Sequence, residues 1–130
     1  MRIWQINSYG SHVHKYELRV YTFVTIIFGV SPTAYGHQAK AAWTADGWNT
    51  VCWSNAAWQR NPDGCYEEWN VSLIIPSHTV HPGADPTYRF WYALCVEDAG
   101  GFVYWDNNNG WNYEYIVPGR YPDIISASCA

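Results

Sequence analysis

Residues 105–113, WDNNNGWNY, place four asparagines between aromatic residues. Asn offers hydrogen-bond donors and acceptors without charge, while Trp and Tyr offer flat apolar faces with a polar tip. A sugar ring needs both, because it presents a face of C–H groups and a fringe of hydroxyls. The stretch therefore suits carbohydrate binding. Taken alone, however, the run favours the alternative interpretation, a hairpin connection that uses Asn and Gly for positive φ.

The composition also indicates exposed rings and a neutral ligand. Nine Trp and eleven Tyr in 130 residues exceed what a small core encloses, so some rings must face solvent. A formal net charge of −4 gives no electrostatic footprint for nucleic acid or an anionic membrane, and the apolar run at residues 20–30 is too short to span a bilayer. We expect one domain covering residues 1–130, with a glycan as partner rather than nucleic acid or membrane.

Catalytic and metal-binding patterns are weak by comparison. Glycoside hydrolysis needs two carboxylates that face each other across a cleft, but Glu67 and Glu68 are adjacent on a predicted strand and point to opposite faces. His12 and His14 could share one strand face, and the other histidines fall in predicted loops without a recognisable ligand spacing. We therefore expect a protein that is not an enzyme and that binds no metal or other cofactor.

The cysteines and a glycosylation sequon bear on the compartment. Four cysteines and the NVS sequon at Asn70 favour a secreted, extracellular protein, with a cytoplasmic protein containing four buried thiols as the alternative. Of the three possible connectivities, we expect Cys52 with Cys65 and Cys95 with Cys129, since each pair would join neighbouring segments.

Hydrophobic alternation of period two runs through most of the chain and predicts strands rich in aromatic and β-branched residues. Gly, Pro, Asn and Asp clusters separate them, and nothing resembles a long helix. This spacing of short strands predicts an all-β protein, an antiparallel β-sandwich. The predicted strands are residues 16–24, 38–45, 68–75, 88–96, 102–105 and 113–117.

The same alternation sorts the Trp side chains into two groups. Trp43 and Trp69 fall in phase with apolar neighbours and are predicted to lie in the core. Trp91 falls on the opposite face of its strand and points outward, while Trp48 and Trp105 lie in or beside turns. Exposed rings need an explanation, and a ligand supplies one.

The segment YWDNNNGWNY, residues 104–113, resembles the signature of family-21 carbohydrate-binding modules, the starch- and glycogen-binding domains of fungal glucoamylases and glycogen-targeting phosphatase subunits. Four matches in consistent order are more specific than any one alone. The resemblance implies an immunoglobulin-like β-sandwich that binds α-1,4-glucan. The three upstream matches are AYGHQAKAAWTADGWNT, CYEEWNVSL and YRFWYALCV.

The resemblance further implies two carbohydrate sites. In the first, Trp rings stack on sugars and the Asn-rich run supplies hydrogen bonds, with a structural anchor of the turn as the alternative role for Asp106. The second site consists of three rings from other segments. The first site would comprise Trp48, Trp91, Trp105, Asp106, Asn107, Asn109, Trp111 and Asn112, and the second Tyr35, Trp58 and Tyr66.

Two departures from the family pattern bear on specificity. Trp111 stands where small residues are usual, and Gly36, His37 and Gln38 follow the alanine-aromatic pair where glucan-binding members tend to carry lysine. A freestanding lectin of the same fold with another specificity, for example for galactose or N-acetylgalactosamine, is therefore the alternative, and a homodimer is left open. A third alternative, a secreted hydrolase or a structural protein, would need the exposed rings to be buried in an interface.

Overall fold

A computed structural model describes residues 1–16, 19–79 and 88–117. Within these ranges the chain forms nine strands and one short 3₁₀ turn at Pro62–Gly64, and no helix is long and apolar enough to cross a membrane. The strands are β1 (Arg2–Tyr16), β2 (Arg19–Ser31), β3 (Gln38–Thr44), β4 (Cys52–Asn55), β5 (Ala57–Arg60), β6 (Glu67–Thr79), β7 (Tyr88–Glu97), β8 (Val103–Asp106) and β9 (Tyr113–Val117).

The strands form two antiparallel sheets. The first sheet has the order β1-β2-β6-β5, and the second has the order β4-β3-β7-β8, with β9 also paired to β7. The inward faces of the two sheets pack against each other, as sandwich sheets do. The all-β antiparallel sandwich predicted from the alternation is thus confirmed.

The core is built from the inward faces of β2, β3, β6 and β7. Side chains alternate between core and surface along each strand because successive residues of a strand point to opposite faces. Trp43 and Trp69 lie in this core, as predicted. Its other members on these strands are Val24, Ile26, Phe28, Val30, Ala39, Ala41, Val71, Leu73, Ile75, Tyr88, Phe90, Tyr92, Leu94 and Val96.

The strand prediction fails where the alternation is weak. The longest strand, β1, was not predicted, because its sequence RIWQINSYGSHVHKY mixes polar residues into both faces of an edge strand. The strands β4 and β5 were missed because four residues are too few to establish a period. The predicted strand at residues 16–24 is wrong at its start, since Tyr16 ends β1 and β2 begins at Arg19.

Both predicted disulfides are wrong. Cys52 is disulfide-bonded, but Cys65 and Cys95 are free. Cys52 faces the core opposite Trp43, whereas Cys65 is exposed beside the 3₁₀ turn. Cys95 is buried in the middle of β7, and Cys129 lies outside the described residues. The prediction paired cysteines that belong to neighbouring segments of the sequence. The sandwich separates such side chains, because Cys52 lies in the core and Cys65 on the surface.

The two free thiols should react differently with an alkylating reagent. Cys65 is exposed, while burial raises the pKa of the Cys95 thiol and encloses its sulfur. We expect iodoacetamide to label Cys65 in the native protein and to label Cys95 only after denaturation. Peptide mass spectrometry before and after adding denaturant measures this. Rapid native labelling of Cys95 would contradict the burial described for β7.

The glycosylation sequon lies on the outer face of β6. Ser72 is exposed, as the alternation predicts, but Asn70 is only half-exposed and its Oδ1 is enclosed. Asn70 is flanked on both sides by paired strands, opposite Ile27 of β2 and Ala57 of β5. The predicted steric accessibility therefore holds for Ser72 and only in part for Asn70.

Candidate functional site

The Asn-rich run is a loop that interrupts one strand-like path. β8 and β9 both pair with the same strand, β7, and both run antiparallel to it. Asp106, the last residue of β8, lies opposite Leu94, and Tyr113, the first of β9, lies opposite Tyr92. Residues 107–112 therefore leave the edge of β7 beside Leu94 and return beside Tyr92. Only Ala93 of β7 lies between the stretches paired with β8 and β9. The hairpin interpretation is wrong, because β8 and β9 are joined by no ladder of their own.

The asparagines build the loop. Asn108, Asn109 and Asn112 have positive φ angles of 55°, 58° and 60°, a conformation that Asn tolerates better than other non-glycine residues. The Asn107 side-chain oxygen accepts a hydrogen bond from the Gly110 N–H at 3.0 Å, and the Asn108 amide donates to the Asn112 carbonyl at 3.2 Å. The positive φ angles and the hydrogen bonds of the loop thus explain why asparagine recurs in this segment.

Asp106 anchors this loop to the core. Its Oδ1 accepts from the Asn108 N–H at 3.2 Å, and its Oδ2 accepts from the Tyr113 hydroxyl at 2.6 Å. The Tyr113 ring stacks on Tyr92, with centroids 5.4 Å apart, and burial raises the pKa of both phenols well above the ordinary value of 10. Asp106 therefore acts structurally here, and the exposed Trp111 indole is the largest group that the loop presents to solvent.

The rings predicted for the first site lie around the outer face of the second sheet without forming one cluster. The indole N–H of Trp91 donates to Glu114 at 3.1 Å, and the Arg89 guanidinium lies 5.6 Å from the Trp91 ring centroid. Trp48 is half-exposed in the turn after β3, with φ of 69°. Among the described residues no ring contact joins Trp48, Trp91 and Trp105 to one another.

The turn that holds Trp48 is fixed by one carboxylate. Asp46 accepts hydrogen bonds from the Thr50 N–H at 2.9 Å and the Thr44 hydroxyl at 2.8 Å, and these bonds hold the pKa of Asp46 below its ordinary 3.8. The Trp48 N–H donates to the same Thr44 hydroxyl oxygen at 3.0 Å. The turn that carries Trp48 is therefore held by hydrogen bonds that involve Thr44, Asp46 and Thr50.

Trp105 pairs instead with Trp53, a residue that sequence reasoning missed. Their ring centroids are 5.8 Å apart with an interplanar angle of 60°, and the Lys40 ammonium lies 4.7 Å from the centroid of Trp53. Small buried side chains, Ala42 and Ala93, lie on the same face between the strands and leave room for the two indoles. Trp53 was missed because the short strand β4 was not predicted.

A cleft is lined by the loop between β2 and β3 together with residues of β5 and β6 and the turn between them. Its volume is about 760 Å³, within the range of about 300–1,000 Å³ typical of small-ligand sites. Tyr35 and Trp58, two of the three residues predicted for the second site, line it. The other lining residues are Thr33, Ala34, Gly36, His37, Asn61, Glu67 and Trp69.

A buried carboxylate organises the cleft. Glu67 Oε2 accepts hydrogen bonds from the Ala34 N–H at 2.9 Å and from His37 Nδ1 at 2.8 Å, while Oε1 accepts from the indole N–H of Trp69 at 2.9 Å. Both side chains of the Glu67–His37 pair are almost fully buried. Glu67 therefore fastens the loop before β3 to the strand β6. The sequence analysis predicted that His37 lies in a loop and did not predict its contact with Glu67.

The two rings of this cleft are exposed, and they are carried by a hydrogen-bonded indole in one case and a fastened loop in the other. Trp58 is 53% exposed, and its indole N–H donates to the Asn61 side-chain oxygen at 2.9 Å. Tyr35 is fully exposed on the loop that Glu67 fastens. Gly36 has φ of 91°, and a Cβ there would lie 2.9 Å from the Cβ of Ala99, so this loop also packs closely on the turn after β7.

The structure does not bring the third predicted residue, Tyr66, into the cleft. Its ring packs edge-on against Trp4 with centroids 5.2 Å apart, on the outer face of the first sheet. Trp4 in turn lies against Gly29, which has no side chain to obstruct it. Tyr66 precedes Glu67 on the chain, and the alternation of β6 turns the two side chains to opposite faces.

Comparisons with known proteins add no family to this description. No protein-family model matches the chain, and no curated protein matches it either. The described residues contain no group of three or more His, Cys, Asp or Glu side chains arranged to hold a metal ion. The fold defines the class, an all-β antiparallel sandwich, and its exposed rings are the features that point to a ligand.

Proposed function

We propose that the protein binds glycans without catalysis and that the cleft of Tyr35 and Trp58 is its principal site, with α-1,4-glucan as the ligand class. The observation that carries this proposal is that two exposed rings line one cleft, with the Trp58 indole held by Asn61 and the loop that carries Tyr35 fastened by Glu67. Exposed apolar rings are costly to maintain unless a ligand uses them.

The cleft supplies the two kinds of contact that a sugar needs. Tyr35 and Trp58 offer flat faces for the C–H groups, and Asn61 and the backbone of the loop offer polar groups for hydroxyls. Tyr35 belongs to the loop before β3 and Trp58 to the edge strand β5, so the two rings come from separate elements. Rings on separate elements of a loop-lined cleft suit a curved α-glucan, whereas an extended β-glucan suits coplanar rings.

The outer face of the second sheet is a second candidate surface on the same proposal. Trp105 and Trp111 are exposed there, and Trp53 adds a ring that the resemblance did not supply. The additional Trp53 ring and the exposed Trp111 depart from the family pattern, so they favour a lectin for a sugar other than glucose as the second candidate function. Competition by maltose against galactose for the bound site distinguishes the two functions.

Replacing Trp58 by alanine should weaken binding of maltoheptaose by about 1–3 kcal/mol, or roughly 5- to 150-fold, because a stacking face is lost. Calorimetric titration of the intact chain measures this. Tyr9 is a matched control, because it is 52% exposed, against 53% for Trp58, and lies on the first sheet away from the cleft. Equal affinity of Trp58→Ala and Tyr9→Ala would rule out the cleft as the site.

A further inference from the structure

We propose that the binding site extends beyond this cleft, across the Tyr35 loop, into a second cleft on the other side, so that the ligand is an oligosaccharide chain of three or more sugar units. The inference rests on the proposed glycan-binding function. It adds a second part of the site, centred on Asp98 and Tyr104, to the cleft of Tyr35 and Trp58.

The two clefts adjoin. The second has a volume of about 370 Å³ and shares Ala34, Tyr35 and His37 with the first. Tyr35 therefore lies on the boundary, with Trp58 on one side and Tyr104 on the other. The remaining residues that line the second cleft are Met1, Pro32, Asp98, Ala99 and Gly100.

The loop that separates the clefts is held from both sides. On one side Glu67 binds the Ala34 N–H and the His37 ring. On the other side Gly36 packs so closely on Ala99 that no larger residue fits. Two independent contacts thus fix a loop whose one large side chain, Tyr35, is fully exposed. An exposed ring on a fastened loop between two clefts is placed to stack against the middle of a chain that enters both.

The second cleft carries its own polar groups. Asp98 Oδ1 accepts hydrogen bonds from the Gly100 N–H at 2.9 Å and the Phe102 N–H at 3.0 Å, which fixes the carboxylate in the turn. Its Oδ2 has only a long contact, 3.4 Å, from the Tyr104 hydroxyl. At this distance the bond is weak, so Oδ2 and the Tyr104 hydroxyl retain the capacity to bind sugar hydroxyls.

The charge of the combined groove selects a neutral chain. Glu67 and Asp98 are its carboxylates, and neither cleft is lined by a Lys or Arg among the described residues. A uronic acid or a sulfated sugar would meet the Asp98 carboxylate and would find no Lys or Arg side chain in either lining. The groove therefore fits neutral hexose units joined in a chain, and a monosaccharide would occupy only part of it.

Affinity as a function of chain length tests this inference. We expect the wild type to bind maltoheptaose at least tenfold more tightly than maltose, since only the longer ligand reaches the second cleft and its additional ring. Tyr104→Ala should lower the affinity for maltoheptaose on the order of tenfold and leave the affinity for maltose unchanged. Phe102→Ala is the control, because Phe102 is an exposed ring two residues away that lines neither cleft.

The outcomes separate this inference from the function on which it rests. Equal affinities for maltose and maltoheptaose in the wild type would overturn the extended site, even if Trp58→Ala abolishes both. Equal loss of both ligands in a folded Tyr104→Ala protein would also overturn it. Should Tyr104→Ala not fold, the chain-length ratio of the wild type decides alone. Failure of all maltooligosaccharides to bind would instead overturn the proposed glucan specificity.

Discussion

Replacing Trp43 by alanine should lower the free energy of unfolding by about 3–5 kcal/mol, the range for large-to-small changes in a packed core. Trp43 is 1% exposed, and its ring packs against Phe90 with centroids 5.5 Å apart. Its indole N–H also donates to the Ser54 hydroxyl at 2.9 Å, so the substitution leaves a cavity and removes a hydrogen bond. The remaining core cannot fill the cavity without moving whole strands.

Equilibrium denaturation with urea measures this loss, and Trp105→Ala is its matched control. Trp105 is the same residue type but is 51% exposed, with Trp53 as its ring partner. We expect its substitution to cost about 1 kcal/mol or less, as for most surface changes. Equal losses for the two variants would mean that the assignment of inward and outward Trp residues is wrong.

Replacing Glu67 by alanine should have the second-largest effect and should also abolish the cleft. The substitution removes the acceptor for three donors, the Ala34 N–H, the His37 ring and the Trp69 indole. The Trp69 indole would become a buried donor without a partner, which costs about 1–3 kcal/mol, and the two part-buried bonds add to this, so we expect a total loss of roughly 3 kcal/mol. The loop that carries Tyr35 loses its attachment to β6, and maltoheptaose binding should be lost with it.

The neighbouring carboxylate provides the control for this variant. Glu68 points outward and pairs with Arg60 at 3.1 Å, and the Arg60 side chain is largely exposed. Exposed ion pairs contribute only about 0–1 kcal/mol, so Glu68→Ala should leave both stability and binding nearly unchanged. Urea denaturation and calorimetric titration measure the two properties. A Glu67→Ala protein that still binds maltoheptaose with wild-type affinity would show that the fastened loop does not form the site.

The parts of the fold that the sequence predicted are those with a strong period of two. The strand at residues 113–117 was predicted at its observed bounds, and β7 within one residue, because large apolar side chains alternate along both. The edge strand β1 was not found, because an edge strand with polar residues on both faces carries no such period. Short strands such as β4 gave no signal, and Trp53 was overlooked with it.

The candidate site was less predictable because its contacts join distant segments. Glu67 and His37 are 30 residues apart, and nothing local in either segment indicates that they meet. Tyr35 and Trp58 entered the prediction through a family resemblance and do share a cleft, whereas Tyr66 entered in the same way and packs elsewhere. The positive φ angles predicted for the asparagine run are observed, but the predicted hairpin is not, because the run connects two strands that pair with the same edge of β7.

The most direct test of glycan binding at the cleft is the nuclear magnetic resonance spectrum of the indole N–H groups during titration with maltoheptaose. Nine Trp residues give nine reporter signals spread over the core, the cleft and the outer face of the second sheet. The proposed function predicts that the Trp58 signal shifts in a saturable manner while that of the buried Trp43 remains in place. A Trp58 signal that does not move at any maltoheptaose concentration would contradict it.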